Sequence, residues 1–181
     1  SAYRYILAQT AKDGAEHWLP VEICRRQFAA VAPRLAAGQR LKDDWFAALV
    51  IKLALEQLTA QPGAEQVAHL PLSASHRAQA RERTSRDNSF QAQLERLAEL
   101  LDAGKYVGCV VLVDEVDDVR GAKGNEQVQR DLVYPLFLEW FEQPHWRWRA
   151  FLPEALRRSF TGQYAISAKV QQWALEWRPE H

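Results

Sequence analysis

The 181-residue chain contains no methionine, and its only cysteines are Cys24 and Cys109. The first absence leaves no natural translation start in the chain, so either it is a piece of a longer polypeptide or its methionines have been replaced or lost. Two cysteines in apolar, strand-like surroundings exclude a disulfide framework and imply buried thiols in a reducing, cytoplasmic compartment. Neither sign of charge is in excess: 23 Lys and Arg face 23 Asp and Glu. A nucleic-acid binder usually carries a basic surplus, so the total gives DNA or RNA binding no support. No apolar run reaches the roughly 18–20 residues that span a bilayer, and no charged n-region precedes an apolar stretch at the N-terminus, so no membrane partner is expected. His17, His69, His76, His145 and His181 are scattered without metal-ligand spacing. Nucleophile-elbow and internal-repeat patterns are also missing.

What is present fits one α/β domain over residues 1–181. Tyr3, Ile6, Leu7 and Ala11 share related faces of a first helix, which Gly14 stops. His17–Cys24 (HWLPVEIC) reads as a strand, with Pro20 predicting an edge position or a strand start. Phe28–Ala37 reads as one helix bent at Pro33, and Asp43–Leu58 as a second. In the second, Trp45, Phe46, Leu49, Ile51, Leu53 and Leu58 spread widely enough for burial on more than one side. Pro62-Gly63 marks a loop, and 74–87 is a polar helix or loop. Asn88 or Ser89 caps a helix lined by Phe90, Leu94, Leu97 and Leu101, and Gly104 ends it.

Val107–Val113 (VGCVVLV) is a continuous apolar run of strand length, the mark of a central parallel strand covered on both faces. A charged loop over 114–124 leads to a helix over Gln127–Phe141, kinked at Pro135. Trp146–Leu152 is a strand whose Trp/Arg alternation predicts one wetter face. A short helix at Pro153–Ser159, a strand at Tyr164–Ser167 and an apolar segment at Val170–Trp177 complete the chain. Alternating helices and strands predict a mainly parallel sheet with helices on both faces, a three-layer, doubly wound α/β domain.

The sharpest chemical feature is Val110-Val111-Leu112-Val113-Asp114-Glu115. An apolar strand followed by two acids delivers carboxylates to the sheet's carboxyl edge, where ligand sites of open α/β sheets lie. One carboxylate can serve the hard cation Mg²⁺, and its neighbour can polarise a water. The plainer alternative is a buried strand whose end acids cap the next helix or stay solvated.

The segment Val110–Asp118 (VVLVDEVDD) resembles the Walker B region of the P-loop NTPases with an additional strand and a catalytic glutamate. Within these it is similar to AAA ATPases of the origin-recognition-like kind and to STAND signalling NTPases. The resemblance implies a P-loop NTPase-like fold and an ATPase or switch module that takes ATP and Mg²⁺. It implies that Asp114 binds the metal and the nucleotide, and that Glu115 is the catalytic base. No G-x-x-x-x-G-K-[S/T] loop occurs in the 181 residues. The resemblance therefore implies a phosphate loop just upstream with Ser1 as its last, cofactor-binding residue, and a lid after His181. The other reading of Ser1 is a residue of a cloning scar. Arg157 and Arg158 stand where an arginine finger acts between subunits of a homo-oligomer; their plain alternative is a solvated basic helix end. Further expected partners are other domains of the same polypeptide. Two rivals stay open: a non-enzymatic interaction domain keeping a degenerate NTPase fold, and a metal-dependent enzyme using Asp114, Asp117 and Asp118 together.

Overall fold

The computed structural model describes residues 17–59, 75, 78, 89–137 and 145–156. The sequence readings at 1–16, 60–74, 76–77, 79–88, 138–144 and 157–181 lie outside the described residues. Three strands form one sheet: β1 (His17–Ile23), β2 (Tyr106–Val113) and β3 (Trp146–Ala150). Their order is β1-β2-β3, and both pairings are parallel. Leu19, Val21 and Ile23 pair with Cys109, Val111 and Val113. These in turn pair with Trp146, Trp148 and Ala150. Because successive side chains alternate between faces, the nine residues form one surface of the sheet.

That surface carries the core. The helices after β1 are α1 (Arg25–Phe28), α2 (Ala32–Ala36), α3 (Trp45–Thr59) and α4 (Phe90–Ala103). Phe28, Phe46, Val50, Ile51 and Leu97 are almost fully buried and join Val21, Ile23 and Val111 in one cluster. Each such side chain contributes roughly 1.5–3 kcal/mol of burial free energy. In α3 the buried set (Phe46, Ala47, Val50, Ile51, Ala54, Leu55, Leu58) covers a wide stripe, while Lys52 and Glu56 face water. The breadth expected from the sequence is therefore present.

On its opposite face the sheet is mixed. Val110 and Leu112 are buried, but their cross-strand neighbours Glu22, Arg147 and Arg149 are exposed. The Trp/Arg alternation of β3 is thus a true inside/outside pattern. β2 is buried on both faces from Gly108 to Val113, as its unbroken apolar run requires. β1, with Pro20, forms one end of the described sheet.

Several boundaries differ from the sequence reading. The helix expected over 28–37 is two short pieces, and Pro33 sits in the first turn of the second. Proline lacks an N–H and fits a helix start better than a helix interior, so the chain restarts there instead of bending. The helix expected over 127–141 is α5 (Glu126–Val133), followed by a 3-10 turn at Tyr134–Phe137. Pro135 lies in that turn, where its missing N–H breaks the helical ladder. Ser89 does cap α4, its Oγ accepting the Ala92 N–H at 3.3 Å, and Gly104 closes the other end. The described residues are thus a mixed α/β fold built on a small parallel sheet.

Candidate functional site

The acids stand at the carboxyl end of the central strand. Sheet hydrogen bonding runs past Val113 on both sides. The Val113 carbonyl accepts the Phe151 N–H at 2.9 Å, and the Asp114 N–H donates to the Ile23 carbonyl at 3.0 Å. The backbone of Asp114 is therefore fixed by β1 just as the chain leaves the sheet.

Glu115 then turns the chain sharply. Its φ is 59° and its ψ 30°, the left-handed region, which costs a non-glycine residue about 1–2 kcal/mol. Two local features offset that cost. The Glu115 N–H donates to Asp114 Oδ1 at 2.8 Å, and Val116 and Val119 insert into the core with no exposure. A 3-10 turn at Val116–Asp118 follows. Apolar anchors on either side of the acids thus hold them at the surface: Asp114 is half-buried, and Glu115, Asp117 and Asp118 are exposed.

The end of β1 meets this corner. Cys24, half-buried rather than buried as expected, is the N-cap of α1. Its N–H and thiol both donate to Gln27 Oε1, at 3.2 and 3.1 Å. That arrangement leaves the Arg25 N–H pointing outward, and it donates to Glu115 Oε2 at 3.3 Å. The Arg25 guanidinium also pairs with Asp118, Nη1 to Oδ2 at 2.9 Å.

The fold therefore brings Asp114, Glu115 and Asp118 together, with Arg25 added. Arg25 is the residue of this corner that the sequence does not single out; its only local signal is a basic pair directly after an apolar strand. Arg120 and Lys123 are exposed and pair with neither Asp117 nor Asp118 among the described residues, where the partner of Asp118 is Arg25. Ser1, Arg157 and Arg158 lie outside the described residues. Cys109 is the buried thiol that the sequence predicts, and burial pushes its pKa up to about 12.

No protein-family model, curated protein or solved structure matches the chain.

Among the described residues no group of three or more His, Cys, Asp or Glu side chains is arranged to hold a metal ion. Asp114, Asp117 and Asp118 therefore do not form an all-protein metal cage. A single carboxylate is a different case. Mg²⁺ usually keeps several waters and takes one or two carboxylates together with substrate phosphates. One oxygen of Asp114 accepts from Glu115, and the other takes no hydrogen bond from the described residues. A half-buried carboxylate with one oxygen oriented and one open fits that sparse mode of binding.

Proposed function

We propose that this chain is the core of a nucleoside-triphosphate-hydrolysing or switch module with a three-layer P-loop NTPase-like architecture. The observation that carries the reading is β2. A strand hydrogen-bonded on both sides and buried on both faces ends in two adjacent carboxylates at the sheet's carboxyl edge.

In this reading Asp114 would hold a magnesium ion through one carboxylate oxygen. The ion, when bound, offsets phosphate charge. Glu115 is exposed and can accept a proton from a water or orient it. The backbone bond from Asp114 to β1 fixes the main chain that carries the first carboxylate, and the second follows on the left-handed turn at Glu115. Phosphate binding must come from residues other than those described.

The test is Mg²⁺-ATP turnover by the intact protein. Glu115→Gln keeps nucleotide binding and lowers the hydrolysis rate by about 10²-fold or more, the usual range for a positioned general base. Unchanged hydrolysis in Glu115→Gln removes the assigned role.

A second reading, an interaction domain with a degenerate NTPase fold, has one observation in its favour: the Glu115 carboxylate already has a main-chain partner in Arg25. Failure of the intact protein to bind Mg²⁺-ATP would select it.

A further inference from the structure

Arg25 touches the acidic corner twice, and hydrolysis as just outlined uses neither contact. Its N–H reaches Glu115 across 90 positions of sequence and its guanidinium reaches Asp118 across 93. Both contacts are products of the fold rather than of local chain geometry.

The ion pair is not explained by stability. Its side chains are 61% and 56% exposed, and pairs that open to water contribute roughly 0–1 kcal/mol. Its position is more informative. The Asp118 N–H donates to the Glu115 carbonyl at 3.3 Å, so residues 115–118 close into one small turn. The Asp118 side chain is a handle on that turn, and Arg25 holds the handle. The same residue's N–H then meets the Glu115 carboxylate.

The geometry points to Arg25 as a positioning residue for Glu115: the ion pair to Asp118 anchors the turn, and the main-chain N–H fixes the carboxylate. The inference rests on the reading of Glu115 as the group that orients water. A glutamate at the surface otherwise spreads over many rotamers, and loss of orientation lowers rate more than affinity. Arg25→Ala retains the N–H and loses the anchor. Arg25→Lys retains the N–H and the charge, and a single ammonium suffices for a contact made through one nitrogen.

The experiment has two arms. In the intact protein, Mg²⁺-ATP hydrolysis and calorimetric binding are measured for Arg25→Ala, Asp118→Asn, their double variant and Arg25→Lys. The expected result for Arg25→Ala and Asp118→Asn is a kcat lower by about tenfold, with KM and Kd within about twofold, a typical loss for an outer-shell partner. The double variant falls no further, and Arg25→Lys recovers most of the rate. In the second arm, the Arg25 amide is followed by NMR without nucleotide. Glu115→Gln and Asp118→Asn each shift its resonance upfield and speed its exchange with solvent. An unchanged kcat in Asp118→Asn, or an Arg25 amide indifferent to both substitutions, overturns the proposal. If the unmodified protein neither binds nor hydrolyses Mg²⁺-ATP, the hydrolysis reading fails by itself. The amide arm then still decides whether Arg25 and Asp118 hold Glu115.

Discussion

Gly108 is the most closely enclosed of the described glycines, and replacing it with alanine gives a sharp test of the packing. A Cβ built there lies 2.2 Å from the His145 carbonyl oxygen, 2.8 Å from its carbon and 2.9 Å from Trp18 Cζ3. Two of these three atoms are backbone and cannot rotate away. The same His145 oxygen accepts the Cys109 N–H at 2.9 Å, beside the first rung of the β2–β3 ladder. Trp18 is also held, with the Arg147 guanidinium 4.1 Å from its ring centroid. The methyl must therefore push the entry of β3 away from β2. Overpacking of this kind costs about 1–3 kcal/mol, and the weakened hydrogen bond adds about 1 kcal/mol. A total of about 3 kcal/mol lowers the urea midpoint by about 1.5 M at an ordinary slope near 2 kcal/mol/M. Urea unfolding followed by tryptophan fluorescence measures this. Gly124→Ala is the control: its φ is 70° with nothing within 4 Å, so only the left-handed penalty of about 1 kcal/mol applies. A Gly108→Ala midpoint no lower than that of Gly124→Ala would show that β3 is not held tightly against Gly108.

Other outcomes follow from single contacts. Ser89→Ala removes the acceptor for the Ala92 N–H and lowers stability by about 1 kcal/mol in the same urea assay. Cys24 is half-buried and Cys109 buried, so a thiol reagent at pH 8 titrates one cysteine in the native protein and two after unfolding. Burial raises the Cys109 pKa from its ordinary 9.0 to about 12. The unfolded chain therefore loses this proton first, and stability present below pH 9 falls as the pH rises toward 12. The loss is about 1.4 kcal/mol per pH unit in that window. Cys109→Ala flattens the slope of stability against pH between 9 and 11, and an unchanged slope would rule out this thiol as its source.

The legible parts of the fold were those set by local pattern. The apolar run from Val107 to Val113 lies in a central parallel strand buried on both faces from Gly108 onward, with Val107 exposed at its start. Ser89 and Gly104 marked both ends of α4 because capping depends on residues within one turn of each end. The Trp/Arg alternation of β3 declared its two faces. Less legible were the proline positions: Pro33 and Pro135 each suit a helix start, a bend or a 3-10 turn, and tertiary packing chooses among them. The site divided in the same way. Asp114 and Glu115 stood out because they end the strand. The left-handed backbone of Glu115 carried no local signal, since glutamate has no preference for that region. The basic pair after β1 was visible, but the role of Arg25 was not: its partners lie 90 and 93 residues away, and only the parallel pairing of β1 with β2 brings the two strand ends together.

Asp114 is proposed to serve a magnesium-bound nucleotide at the end of β2. The most direct test is calorimetric titration of Mg²⁺-ATP into the intact protein and its Asp114→Asn variant, with Asp117→Asn as a neighbouring control. The expected result is binding that weakens by about tenfold or more in Asp114→Asn and is unaltered in Asp117→Asn. Equal affinity in the Asp114 variant and the unmodified protein, or equal losses at both positions, would contradict it.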